Sequence, residues 1–247
     1  MKWYKSLSGV TSPFLMNLPV YGGGANIEEG AVVVKGATPG TDQGFAIIPS
    51  DLTGNLTNVL GVISTQHVNT SAGADSKQDG TAYTTKPVTV SPDSIYLADY
   101  SQATGDRLTV TSTSGTTVTI GSLEDNIDGG WLYCVAGTGA GRLAYITTSA
   151  AGSCTTKEVT GWDNTSKVIK ILPKFHENAI LSSNGRSLGT QAAVGGTGYI
   201  IWENMIEADS IPIQALDPVK HSGLTGLSTL NLRLYAQVWF QAYVGNI

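Results

Sequence analysis

Any chemistry in this chain has to come from its three histidines, its carboxylates, its two cysteines and its glycine runs. His67, His176 and His221 stand far apart, and none sits in a HExxH or comparable frame that sets two ligands on one metal. His176-Glu177, after Pro173-Lys174-Phe175, pairs an imidazole with a carboxylate and has the makings of an acid–base couple, but a surface turn is the plainer reading. The nucleophile pattern GxSxG and the P-loop are both absent. Gly137-Thr138-Gly139-Ala140-Gly141 opens like a dinucleotide fingerprint. Arg142 and a strand pattern follow it, however, so no helix N-terminus is expected to hold a pyrophosphate. Glu124-Asp125-Asn126-Ile127-Asp128-Gly129 gathers three carboxylates without the alternating oxygen spacing of a calcium loop. That stretch and Asp75-Ser76-Lys77-Gln78-Asp79-Gly80 read as acidic turns. Cys134 and Cys154 lack metal-ligand spacing and are too few for a disulfide framework; they read as small strand residues in a reducing cytoplasm. Asn55, Asn69 and Asn164 head Asn-x-Ser/Thr sequences, which chance supplies in a chain with so many hydroxyl residues. No catalytic constellation emerges, and neither a cofactor nor a metal is expected.

The elements that would position such groups are strands. Short apolar or β-branched runs recur at residues 31–35, 45–48, 59–63, 82–90 and 94–97. They continue at 107–113, 116–120, 131–136, 142–148, 155–160 and 167–172, each closed by Gly, Pro, Asn or Asp. Helical signals are confined to residues 202–208 and 174–181, with one short turn at 51–58. The expectation is an all-β protein of short antiparallel strands, forming one or two β-barrel or β-sandwich modules with little helix. Residues 1–25 form an extended N-terminal arm, 26–105 an N-terminal β module, and 106–247 a C-terminal β module.

Composition narrows the function classes. Charged residues are 13% of the chain, about half the usual share for soluble domains, so little of the surface is held apart by charge. The place of charge is taken by 29 Thr, 22 Ser and 30 Gly, a third of the chain. An apolar fraction of 41% with net charge −5 does not fit disorder, and 14 scattered cations do not fit a nucleic-acid binder. No run approaches the length of a membrane span, and the N-terminus lacks the uninterrupted apolar core of a signal peptide. Such a neutral surface tolerates contact with other protein.

The clearest periodicity lies at residues 231–244, where Leu232, Leu234, Ala236, Val238, Phe240, Ala242 and Val244 alternate with Asn231, Arg233, Tyr235, Gln237, Trp239, Gln241 and Tyr243. Alternation by two over fourteen residues predicts one long strand with an aliphatic face buried. Its other face carries aromatics, amides and a single charge. Three readings stand: a sheet face half covered by a neighbouring loop, a protein–protein contact, since Tyr, Trp and Arg concentrate interface energy, or a sugar-binding aromatic platform. Arg233, Tyr235, Trp239 and Tyr243 are therefore candidate interface residues. Trp3 and Tyr4 join them from the arm, whose Phe14 and Tyr21 suit a segment that orders on a partner or packs on its own domain.

Residues 129–172 resemble a unit of tailed-bacteriophage virion proteins: a strand opened by Gly129-Gly130, the turn Gly137-Thr138-Gly139-Ala140-Gly141, a second strand with Ile146, and a Thr-rich strand ending near Trp162-Asp163 and Ser166. Arg142 stands where that unit usually has Gln, and Gly152-Ser153-Cys154 is a further departure. The resemblance covers under a fifth of the chain. Residues 30–63, with a valine run, a Thr-Pro-Gly turn and Val59-Leu60-Gly61-Val62-Ile63, look like the opening β-barrel of phage head-decoration proteins. Residues 216–226 also look like a phage structural segment. What this resemblance implies is a non-enzymatic virion protein most like a head decoration (cement) protein.

Elimination narrows the component. No long amphipathic stretch could form the spine helix of a major capsid protein or a helix-rich portal, and no heptads or collagen-like repeats mark a fibre. The expected function is to decorate and stabilise the phage capsid at capsid subunit junctions, on the outside of a virion assembled in the bacterial cytoplasm. Its partners would be the major capsid protein and copies of itself, a trimer among the options, with no nucleic acid and no membrane. Two alternatives remain: a phage tail protein (tube or receptor-contacting β module), and a secreted carbohydrate-binding β protein using Trp131, Trp162 or Trp239 as a stacking platform.

Overall fold

The structure, a computed structural model, describes residues 1–21, 26–39, 41–47, 59–68, 75–76, 82–100, 107–174, 176, 186, 200–208, 211–213 and 232–239. Every regular element among them is a strand, and the chain is all-β. In chain order these are β1 (Lys2–Ser6), β2 (Leu15–Tyr21), β3 (Val32–Lys35), β4 (Ala46–Ile47), β5 (Val59–Ile63), β6 (Asp75–Ser76), β7 (Ala82–Thr89) and β8 (Ser94–Asp99). There follow β9 (Leu108–Thr109), β10 (Ser112–Ser114), β11 (Thr117–Thr119), β12 (Trp131–Ala136), β13 (Leu143–Ala150), β14 (Ser153–Thr156) and β15 (Lys167–Ile171). The last three are β16 (Ile200–Ala208), β17 (Ile211–Ile213) and β18 (Leu232–Trp239).

The valine run makes sense as a strand buried on both faces. Val33 points into one apolar cluster with Leu60, Ile63, Val88 and Val20, while Val32 and Val34 point into another. Such a strand needs no polar alternation. Its partners close a ring: β2 pairs with β4, β4 with β3, β3 with β5, β5 with β7, and β7 back with β2. The first cluster is the inside of that barrel. The second collects Val62 from the barrel, Tyr96 and Val238 from one sheet, and Leu132 and Ile146 from another, so one core joins all three sheets.

The seven-stranded sheet has the order β10-β11-β14-β13-β12-β15-β9. Long β13 serves two neighbours: Leu143–Tyr145 pair with β12, and after a bulge at Ile146/Thr148 the strand turns to β14. Here the hydroxyl-rich composition finds its place. Ser114, Thr117, Thr155 and Thr148 line up across four strands, on the face opposite buried Val118 and Cys154. The result is a neutral, hydroxyl-bearing outer face.

The five-stranded sheet, β1-β8-β18-β16-β17, joins the two ends of the described chain. β1 and β18 both pair with β8, so this sheet crosses the boundary expected at residue 105. The stretch expected as an arm enters two sheets, β1 here and β2 in the barrel. One expectation is overturned: residues 202–208 are not a helix but the body of β16. Eight residues of β16 pair with β18, from Ile200↔Trp239 to Ala208↔Leu232. Those cross-strand pairs outweigh the local helical preference of Glu203, Met205, Glu207 and Ala208. The expected turn at 51–58 and nearly all of 174–181 lie outside the described residues.

Candidate interaction surface

β18 is a central strand. Tyr235 pairs with Asp99 on β8 and Met205 on β16, Trp239 with Ile95 and Ile200, and Arg233 with Glu207. Val238 is fully buried, as the alternation requires. On the opposite face Gln237 is also buried and Tyr235 half-buried, so at these positions the chain itself covers the face proposed for a partner. Tyr243 lies outside the described residues. Trp3 pairs with Tyr96, packs on the main core and donates its indole N–H to Ser94 Oγ at 3.2 Å. The structure thus places Trp3 and β18 on either side of β8, with Trp3 holding β1 in place. Tyr4 falls in a bulge between Trp3 and Lys5, is 41% exposed, and has the Lys5 ammonium 5.5 Å from its ring centre.

Tyr4 begins a longer feature. Among the described residues seven large hydrophobic side chains are exposed, and five of them, Tyr4, Leu7, Val10, Phe14 and Leu15, fall within residues 4–15. Phe14, 62% exposed, is the most open. Scattered exposed hydrophobics are ordinary, whereas a contiguous group marks a contact surface. The segment is also held in shape. Leu7 N–H donates to the Asp93 carbonyl at 2.9 Å, and Val90 N–H donates to the Phe14 carbonyl at 3.1 Å. Between these ties the Asp93 carboxylate accepts hydrogen bonds from the Ser6, Ser8 and Ser91 hydroxyls and the Ser8 N–H. One carboxylate at the β7–β8 corner therefore clips the exit of β1. Residues 1–27 contain Lys2 and Lys5 and no Asp or Glu, so the segment is cationic in an acidic chain.

The hydroxyl donors hold the Asp93 carboxyl well below the usual carboxylate range, Ser6 contributing most. A depressed native value means that the clip contributes fully above the ordinary Asp value and is lost as pH falls below it toward the native one. Amide protection of Leu7 and Ser8, corrected for intrinsic exchange, is expected to fall between about pH 5 and about pH 2.5. Protection unchanged over that range would show that the clip does not hold the segment.

Two carboxylates considered for chemistry, Glu124 and Asp128, have partners within the protein. Glu124 Oε1 lies 2.5 Å from Lys170 Nζ, with side chains 9% and 1% exposed. Asp128 Oδ1 accepts from the Ser149 N–H and hydroxyl, both at 2.5 Å. Two of the three carboxylates of the acidic turn are thus occupied by protein donors. No group of three metal-ligating side chains exists among the described residues. Cys134 and Cys154 are free and buried in β12 and β14; burial raises both thiols, Cys154 to about 12, which leaves them poor nucleophiles. His67 is buried, and its burial, with Lys86 nearby, favours the neutral ring. Glu177 lies outside the described residues.

Gly137–Gly141 is a turn between two strands, so the dinucleotide reading lacks its helix. Thr138 Oγ1 donates to Asp163 Oδ2 at 2.7 Å, and Ser166 Oγ donates to the Thr138 carbonyl at 2.7 Å, fastening the turn to the loop before β15. Trp162 is 2% exposed beneath Gly139. Trp131 is equally buried, edge-on to Tyr145 at 5.2 Å. Neither can stack a sugar.

Sequence reasoning noted Tyr4 and Phe14 in the arm but missed Leu7, Val10, Leu15 and the Asp93 clip. The available signal was the spread of apolar residues through 4–15 with no strand or helix period to bury them. No family model, no curated protein and no solved structure matches the chain.

Proposed function

We propose that this chain is a non-enzymatic structural protein of a tailed-bacteriophage virion, decorating the capsid and stabilising it at the junctions between capsid subunits. The observation that carries the reading is the pinned apolar segment at residues 4–15. A pre-ordered apolar surface loses little conformational entropy when it is covered, which favours assembly. Two further features support it. The hydroxyl face of the seven-stranded sheet packs against protein without charge matching, and residues 30–63, likened to a decoration-protein barrel, contribute three strands to a closed ring. At the five-stranded sheet docking runs through side chains rather than strand addition, because its edge strand β1 carries a bulge and two lysines and its other edge, β17, carries Pro212.

The test is sedimentation with DNA-emptied heads of the phage whose genome encodes the chain. Wild-type protein is expected to pellet with the heads at a fixed stoichiometry. Phe14→Ser with Leu15→Ser is expected to weaken this about tenfold or more, the scale of losing an interface hot spot. Val159→Ser, which changes an exposed residue elsewhere, leaves binding unchanged. Wild-type protein that stays in the supernatant, or a serine variant that binds like wild type, rejects the proposal.

A further inference from the structure

Two N–H groups at the Gly137–Gly141 turn lack an acceptor. Trp162 Nε1 and Arg142 Nε are both shut off from water, and neither has a hydrogen-bond partner. They belong to one place. The Cδ1–Nε1 edge of the Trp162 ring faces Gly139, so close that a Cβ there would collide with it. Arg142 closes the same turn: its backbone N–H donates to the Gly139 carbonyl at 3.1 Å, and its Nη1 donates to the Thr160 carbonyl at 2.8 Å. An indole and a guanidinium donate and cannot accept. Buried donors left unbonded are rare, because nothing repays the water they gave up.

The protein around them has no acceptor to spare. The carbonyls of Gly137, Thr138, Gly139, Thr160 and Trp162 are already engaged. Asp163, the carboxylate nearest in sequence, is taken up by Thr138 Oγ1 and Thr165. No carboxylate pairs with Arg142, since the ion pairs among the described residues are Lys170–Glu124 and Arg186–Glu28. A water would bring two hydrogens of its own that need acceptors. An anion needs none, and it also meets the guanidinium charge.

We infer that the turn binds a monatomic anion such as chloride, held between Trp162 Nε1–H and Arg142 Nε–H. Its size follows from the Gly139 backbone, which stands against the indole edge and leaves no space there for phosphate. The N–H groups of Thr138, Ala140 and Gly141 are engaged as well, so this is not the backbone cradle of a nucleotide phosphate. Residues 137–140 are exposed, which lets the ion exchange with solvent. The site stands independently of capsid docking.

The test is a chloride titration of nitrogen-labelled protein dialysed free of halide, with sodium gluconate holding ionic strength constant. Proton–nitrogen NMR reads the Trp162 indole N–H, assigned by its loss in Trp162→Phe, and the Arg142 Nε–H. Both signals are expected to shift and to saturate with one dissociation constant. The chain has five Trp, and the other four indole signals report the fold. Arg142→Gln is expected to weaken the response at Trp162 about tenfold or more, the loss of a charge-assisted hydrogen bond. Bromide is expected to act as chloride does, and phosphate to leave both signals in place. Signals that ignore both halides overturn the inference; a through-space cross-peak from the Trp162 indole N–H to water then identifies a buried water instead. Phosphate that shifts them as chloride does overturns the single-atom site. The wild-type titration decides the matter even where a variant fails to fold.

Discussion

Replacing Glu124 with alanine is expected to cost the fold about 3–5 kcal/mol, the usual penalty for stranding one member of a buried ion pair. Lys170 extends from β15 into a site where its side chain is 1% exposed, and Glu124 Oε1 at 2.5 Å is the acidic partner there. Burial draws the ammonium below its ordinary value, and the carboxylate opposes that shift. Removing the carboxylate leaves the amine either charged in a dry interior or neutralised at a cost. Both outcomes destabilise. Urea titration would read this as a lower midpoint at unchanged m-value. Glu124→Leu with Lys170→Met provides the contrast, because an apolar pair of similar volume is often neutral or stabilising by about 1–4 kcal/mol. A loss below about 1 kcal/mol in Glu124→Ala would mean that water reaches the ammonium, and the buried pair would be rejected.

The second large effect is expected at Gly139. Its φ of +76° is left-handed, and a Cβ there would stand 2.6 Å from Trp162 Cδ1 and 2.7 Å from Nε1. Trp162 cannot retreat easily, since it is buried and followed by Asp163, which is bonded to both Thr138 and Thr165. Gly139→Ala therefore combines a left-handed alanine, about 1–2 kcal/mol, with overpacking of about 1–3 kcal/mol. A total of about 2–5 kcal/mol follows from those two costs. Gly161 is the control: its φ is +64° but nothing lies within 4 Å of its missing Cβ. Gly161→Ala is expected to show only the backbone cost. A double-mutant cycle with Trp162→Leu separates the two terms, because the overpacking should vanish with the ring. Additive losses in that cycle would show that Gly139 and Trp162 do not press on each other.

These two sites differ in how far the sequence announces them. The Gly137–Gly141 turn was legible because glycines between two β-branched runs have a local cause: positive φ angles that a hairpin demands. β12, β13 and β15 were legible for the same reason, each a short apolar run between turn residues. Nothing local says that Glu124 meets Lys170. Their partnership depends on which face of β15 looks inward and which loop covers it. β16 was misread because Trp202-Glu203-Asn204-Met205-Ile206-Glu207 offers no clean period of two, and its strand character comes from pairing along β18. β1 and β2 escaped notice for a related reason: Pro13 and Pro19 break the pattern, and the strands exist because β8 and β7 receive them. The candidate surface was half legible. Tyr4 and Phe14 stood out as aromatics, but only the Asp93 clip shows that residues 4–15 are held in one shape.

The place of β18 between β8 and β16 also sets an order of events during synthesis. β8 is made early and is buried along Ser94–Tyr96, yet the strand that completes one of its sides arrives only with Leu232–Trp239. Until then the N-terminal half carries an open edge beside an apolar core, and the contacts that close it are among the most distant in sequence. Such pairings fold slowly and leave unfinished edges available to other chains. A nascent chain stalled before β18 is thus a better partner for misassembly than the finished protein. The same edge that makes the folded sheet continuous makes the unfinished one adhesive.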